Sequence, residues 1–267
     1  MEAWILPYKA HFRDLVRLPG IENGGAAVSQ ERTEAIVLRG VDFSETSRIV
    51  TFLCPARGKL ACMARGARRP KSGLAAVLDT YNRLDLVYYW KDGRQVQALG
   101  DVALLDSYGT IKADLEKVTF AAFPLELCMK VAHENEPSHE LYAALIKGLD
   151  GLKTWPENIN DYTAWWVLRL LAASGYEVQT EECVACGSTR SAAWGFSYDG
   201  GIVCSRCRSD RQLTTAQYNS LKRLNAAPDR CPDVKNGGTL LDVLRGYAAR
   251  QFETDFRSIR VINQMYP

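Results

Sequence analysis

The sequence predicts an α+β fold: a small N-terminal barrel of five strands, then helices carrying an inserted four-cysteine metal module. Three observations lead there. Apolar and β-branched runs crowd into residues 33–105, apolar residues recur at helical spacing from about residue 110, and two C-x2-C pairs lie 17 residues apart. The 267 residues suit two modest domains, or one plus a module, each with its own core. With 47% apolar and 24% charged residues, 20 Gly and 10 Pro, the composition excludes disordered, collagen-like and mucin-like chains.

Residues 1–30 read as an extension, disordered or lying ahead of the natural start. They end in the flexible Gly20-Ile-Glu-Asn-Gly-Gly-Ala-Ala, and Trp4, Ile5, Leu6, Phe12, Leu15 and Val16 suit one short helix. Met63 is the next Met, so a shorter start needs a non-Met codon, for which Val28 is the candidate. Glu2, Lys9, Arg13, Asp14 and Arg17 interrupt any apolar centre, so this is not a signal peptide. No run of about 18 apolar residues is present to span a membrane. The expected location is the cytoplasm, where paired cysteines are metal ligands or redox pairs before they are disulfides.

The strands follow in order. Thr33–Arg39 ends in an apolar run, Ser47–Leu53 comes next, and Pro55-Ala-Arg-Gly turns into Lys59–Arg65. Leu84–Trp90 is joined through Lys91-Asp-Gly-Arg, a hairpin signal, to Gln95–Leu99. Five strands in so short a span suggest a closed barrel, and the OB-fold is the commonest five-stranded form that binds polymers. The barrel is assigned to residues 31–110.

Residues 111–182 form the helical domain. Ala113–Ala132 places Leu115, Val118, Ala122, Leu125 and Met129 on one helix face, with Pro124 expected to kink or divide it. Glu140–Leu152 repeats the pattern. Asp161–Ser174 is richly apolar, with Asp161 as the N-cap and Gly175 as the stop. The metal module is assigned to 183–210, and C-terminal helices over 211–267 pack on the helical domain. The last of these is placed at Leu240–Val261, after a loop from Pro228 to Gly238.

Cys183-Val-Ala-Cys186 and Cys204-Ser-Arg-Cys207 give C-x2-C-x17-C-x2-C, a zinc spacing. Each pair forms a knuckle, and a hairpin turning at Asp199-Gly-Gly returns the second beside the first. Four thiolates close a tetrahedral shell, so one structural Zn2+ is expected at Cys183, Cys186, Cys204 and Cys207. Redox dithiols are the weaker alternative, since neither pair sits at the strand-to-helix junction of a βαβ unit. Cys54, Cys62, Cys128 and Cys231 are expected to be ordinary structural thiols. Arg206 and Arg208 flank the second knuckle and offset its negative charge.

The net charge of +2 hides an uneven distribution. Residues 31–110 carry 12 basic and 9 acidic side chains, 111–182 carry 6 and 12, and 183–267 carry 12 and 7. The steepest stretch holds Arg39, Arg48, Arg57, Lys59, Arg65, Arg68, Arg69 and Lys71 against Asp42 and Glu45 alone. Loop cations beside a barrel can track a phosphate backbone, with salt-sensitive and weakly selective binding. A solvated loop is the plain alternative, and the charge imbalance favours binding. Phe43, Phe52, Tyr81, Tyr88, Tyr89 and Trp90 could stack on bases, although most aromatics of a small barrel are core.

No catalytic constellation emerges. His11 lies in the extension, while His133 and His139 look like exposed polar residues. Nucleophile-elbow, Walker A and dinucleotide fingerprints are missing from the sequence. The expectation is a protein that is not an enzyme.

The ordered set of motifs resembles the bacterial RecO family of DNA repair and recombination mediators. It runs from Thr33-Glu-Ala-Ile-Val-Leu-Arg through Phe43-Ser-Glu-Thr-Ser-Arg-Ile-Val, Arg57-Gly-Lys-Leu and Ala64-Arg-Gly-Ala-Arg-Arg-Pro-Lys-Ser. It continues with Leu170-Leu-Ala-Ala-Ser-Gly-Tyr, Cys183-Val-Ala-Cys-Gly-Ser and Gly200-Gly-Ile-Val-Cys, covering about residues 33–262. Arg208 stands where many knuckles carry Gly, which would loosen that turn without removing a ligand. The resemblance implies an OB-fold, a helical domain and a zinc module packed on the helices. It implies binding of single- and double-stranded DNA, annealing of complementary strands, and action with RecR so that RecA loads on DNA coated by single-stranded-DNA-binding protein. Contact with the tail of that binding protein would fall on the helical domain, where Lys130, Lys147 and Arg169 are three of only six cations. Two classes compete: a zinc-ribbon transcription or translation factor, and a hydrolase with a structural zinc module.

Overall fold

The structure is a computed structural model that describes residues 28–154 and 157–258. The expectations for residues 1–27, including the short helix and His11, lie outside the described residues.

Five strands close a barrel: β1 (Ser29–Asp42), β2 (Arg48–Cys54), β3 (Gly58–Ala64), β4 (Arg83–Trp90) and β5 (Gln97–Asp106), in the order β1-β2-β3-β5-β4 with β4 returning to β1. Neighbours are antiparallel except β3 and β5, which meet through Cys62 opposite Gln97 and Met63 opposite Ala98. This is the expected OB-like arrangement. Two strands exceed expectation. β1 begins inside the supposed extension, with Ser29 opposite Trp90, and β5 runs on to Asp106 because its register continues along β4 to Arg83.

The apolar run Ala35–Leu38 is buried at every position, unlike an ordinary barrel strand. The reason is a double-sided environment. Ala35 and Val37 point into the barrel with Val50, Phe52, Leu60, Cys62, Leu84 and Leu86. Ile36, Leu38 and the β2 residue Leu53 point outward into the core of the helical body. Strand side chains alternate between faces, so a continuous apolar run marks burial on both.

A one-turn helix, α1 (Leu74–Val77), precedes β4, and another, α2 (Gly109–Lys112), leads into the helical body. That body comprises α3 (Leu115–Val131), α4 (His139–Lys153), α5 (Ile159–Ala173), α6 (Thr215–Asn225) and α7 (Gly237–Gln251). Pro124 does not divide α3, which continues through it. α5 is apolar around its circumference because it is enclosed, touching α3, α4, α6 and α7. Its N-cap is Asn158, whose side chain accepts from the N–H groups of Asn160 and Asp161. Asp161 is instead buried inside the first turn, and its carboxylate accepts the N–H groups of Val234, Lys235 and Gly237, which lead into α7. Gly175 ends the segment at φ +80° as expected.

α6 carries a weak apolar period and starts at a capping box in which Thr214 and Gln217 exchange bonds. α7 stops at Gln251 rather than continuing to Val261, with Glu253 at φ +46° turning the chain away. Residues 259–267 lie outside the described residues. Between α5 and α6 sits a three-stranded sheet of β6 (Trp194–Ser197), β7 (Gly201–Cys204) and β8 (Arg211–Gln212), ordered β7-β6-β8. The expected hairpin at Asp199-Gly-Gly is present, and β8 extends the module past residue 210.

Candidate metal centre and basic barrel end

Two tight turns bring the four cysteines together. In the first, the Gly187 N–H donates to the Cys183 carbonyl at 2.8 Å, with Gly187 at φ +70°. In the second, the Cys207 N–H donates to the Cys204 carbonyl at 3.0 Å, and Arg208 keeps a negative φ. The second turn thus closes without a left-handed residue, and Arg208 does not loosen it. The Val184 N–H then donates to the Ile202 carbonyl of β7 at 3.0 Å, which sets the second turn beside the first.

The four Sγ atoms lie within 4.8 Å of one another. Cys204 Sγ is 3.7 Å from both Cys186 Sγ and Cys207 Sγ. A tetrahedron of thiolates about 2.3 Å from a central zinc has edges of about 3.8 Å, so the quartet is spaced for a structural metal ion. Desolvation opposes a Cys183 thiolate, but N–H groups of Cys204, Ala185 and Cys186 point at its sulfur and bring the thiol down to about 6. Cys204 is lowered as well, first by the Arg206 N–H. The neighbouring sulfurs push Cys207 up to about 12, so a bound cation would displace its proton. The module is docked on the helical body: Trp194 stacks on Tyr218 at 5.4 Å, and Phe196 meets Tyr247 edge-on at 6.0 Å. Burial accounts for the remaining cysteines, raising Cys54 to about 11 and Cys231 to about 12 and also raising Cys62 and Cys128.

The eight basic residues do not form one cluster. β3 separates them, because Gly58 lies at one of its ends and Ala64 at the other. Arg57 and Lys59 belong to the end that faces the helices. Arg57 donates to Glu31 at 2.6 Å and lies 4.0 Å over the Trp90 ring, while Tyr88 donates to the same carboxylate at 2.5 Å. Arg57 is therefore a clamp between the hairpin turn, β1 and β4. The Lys59 N–H donates to the His133 carbonyl at 2.9 Å. Gly58 between them, at φ +58°, lets the turn approach the helical body: a Cβ there would lie 2.4 Å from the Glu136 carbonyl oxygen.

The other end gathers Arg48, Arg65, Arg68, Arg69 and Lys71. Arg48 and Arg68 share Asp42 at 3.5 and 3.1 Å. Arg65, Arg69 and Lys71 are exposed on the loop after β3 and have no carboxylate partner among the described residues; nor has Arg39, exposed on β1 opposite Thr51. Phe52, Tyr81 and Tyr88 are core, as barrel aromatics usually are, whereas Phe43 is 63% exposed. In the helical domain Lys147 pairs with Asp229, and Arg169 donates to the Asn225 carbonyl. His133 and His139 are exposed, and among the described residues no helix is long and apolar enough to cross a membrane.

Fold and site together define an α+β protein in which an OB-like barrel is fused to a helical body bearing a four-thiol metal knuckle. Residues 28–108 match the family model described as Recombination protein O N terminal, and residues 112–258 match Recombination protein O C terminal. The chain belongs to the RecO family of DNA repair proteins. A DNA repair protein RecO from Thermoanaerobacter sp. is 28% identical over 247 residues, 88% of this chain and 97% of that protein. Its counterpart in Chlorobium limicola is 31% identical over 221 residues, 78% of this chain and 85% of the relative. That of Acetivibrio thermocellus is 29% identical over 196 residues, 73% and 77% respectively.

Proposed function

We propose that this protein is a non-enzymatic mediator of DNA repair and homologous recombination. It binds single- and double-stranded DNA, anneals complementary strands, and acts with RecR to load RecA on DNA coated by single-stranded-DNA-binding protein. The observation that carries the reading is the set of exposed cations Arg65, Arg69 and Lys71 on a barrel-end loop, which have no carboxylate partner among the described residues, in a chain that belongs to the RecO family. Cations left unpaired at a barrel rim suit phosphates, and they screen the repulsion between two strands held close. Backbone contacts also leave base edges free to pair. Arg39 adds an exposed cation on β1, Arg48 and Arg68 pair with Asp42 beside the loop, and Arg57 and Lys59 contribute through the barrel's shape.

In this reading the metal is one Zn2+ held by Cys183, Cys186, Cys204 and Cys207. It supplies folding energy and no chemistry, because four thiolates leave no position for water or substrate. The protein works in the cytoplasm, at the nucleoid. The test is an annealing assay on complementary strands coated with single-stranded-DNA-binding protein, with and without RecR, followed by RecA loading. The protein is expected to accelerate annealing and, with RecR, to shorten the lag before RecA assembly. Sequence-selective binding with no response to RecR would favour the zinc-ribbon transcription or translation factor, and substrate turnover would favour a hydrolase.

A further inference from the structure

We propose that Phe43, at the tip of the β1–β2 hairpin, stacks on an unpaired base of a single strand whose phosphates lie on Arg65, Arg69 and Lys71; this rests on the DNA-binding reading above. Phe43 is 63% exposed, beside Val41 at 45%. A single exposed apolar residue is ordinary. The setting of this one is not.

The tip is held rigid. The Phe43 N–H donates to the Ser47 carbonyl at 3.1 Å, and the Ser47 N–H donates to Ser44 Oγ at 3.2 Å. Arg68 braces the turn from the neighbouring loop: its N–H donates to the Thr46 carbonyl at 3.1 Å, its Nη1 to the Ser44 carbonyl at 2.6 Å, and its Nε pairs with Asp42 at 3.1 Å. The basic loop and the aromatic tip are therefore one unit, and its backbone order is established before any ligand arrives. Arg48, Arg65, Arg68, Arg69 and Lys71 outnumber the local carboxylates Asp42 and Glu45, so the ring stands in a field that favours a polyanion.

A ring face in such a field fits a nucleobase, which offers a flat apolar face next to a charged backbone. Only an unpaired base exposes that face, so the contact distinguishes single strands from duplex. Stacking also leaves the hydrogen-bonding edge of the base free, as annealing requires.

The test compares full-length protein binding to oligothymidylate, to an abasic oligonucleotide of equal length, and to duplex, by fluorescence anisotropy across a salt series. Wild type is expected to prefer oligothymidylate over the abasic strand. Phe43→Ala should weaken oligothymidylate binding roughly five- to a hundredfold. Its abasic affinity, duplex affinity and salt slope should stay unchanged, and Phe43→Tyr should restore the preference. Oligothymidylate affinity unchanged in Phe43→Ala, or an equal loss on both single strands, would overturn the inference. Loss of self-association instead would also overturn it, marking the tip as a protein contact. The double variant Arg65→Ala/Arg69→Ala separates the two levels. If it binds all three substrates with a flatter salt slope while Phe43→Ala behaves as wild type, only the stacking fails. If it too behaves as wild type, the DNA-binding reading fails with it.

Discussion

Single residues here often owe their role to contacts far along the chain. Asp161 has the sequence context of an N-cap, yet it is buried and collects three N–H groups from residues 234–237. Asn158, three residues earlier, does the capping. Asp and Asn are both favoured at that position, so local preference alone leaves the choice open. The cysteine quartet is the opposite case. Its spacing named all four residues, because short knuckles leave little geometric freedom. Cys183→Ser is expected to abolish stoichiometric zinc binding and to lower thermal stability. A four-ligand site supplies roughly 10–16 kcal/mol of folding energy in small zinc modules, so losing one ligand should cost several kcal/mol. Metal analysis with a melting curve checks this, and stoichiometric zinc retained by the variant would remove Cys183 from the ligand set.

At the scale of elements, periodicity located the strands and α3 to α5 well and their ends less well. β5 continues seven residues beyond its expected end because β4 offers a partner strand, which composition does not record. α6 shows little apolar period because its buried side carries just two apolar residues, Leu221 and Leu224, beside Ser220. The crossing of α4 and α5 shows what packing adds. Gly148 looks like a weak point in a helix, but a Cβ there would lie 1.9 Å from the buried Trp166 ring. Trp166 is itself held by its Nε1–H donating to the Ala144 carbonyl at 3.1 Å. Gly148→Ala should therefore destabilise by about 2–3 kcal/mol from overpacking, against the ~1 kcal/mol that better helix propensity returns. Denaturant midpoints of the variant and wild type give the sign directly.

For the whole molecule, the joint between barrel and helices is apolar within and polar at its border. Ile36, Leu38 and Leu53 enter the helical core, while Lys153 donates to Asp106 at 2.5 Å and Tyr142 donates to Glu34 at 3.2 Å. Desolvation opposes ionised Asp106, but Lys153 and the Tyr108 N–H hold its carboxyl below the ordinary value. Desolvation likewise opposes Glu31, and Arg57 and Tyr88 outweigh it; Arg32 lowers Asp85. Groups with depressed folded-state values contribute stability above the unfolded carboxylate range and lose it as pH falls through their own values. The melting temperature should therefore drop as pH falls below about 4.5, and Glu31→Gln should flatten that drop while lowering stability at neutral pH. Melting curves between pH 3 and 7 test this, and an unchanged slope in the variant would exclude Glu31 as a contributor. The sequence by itself determined the barrel, the helical body, the cysteine quartet and the family, because local periods and short spacings encode them. Only the tertiary structure decided that the basic segment divides between two ends of β3, with Arg57 a clamp and Arg65, Arg69 and Lys71 exposed at the rim without a carboxylate partner among the described residues. Neighbours along a strand are separated by about 3.3 Å per residue, so a charge cluster in sequence becomes a cluster in space only where the chain turns back.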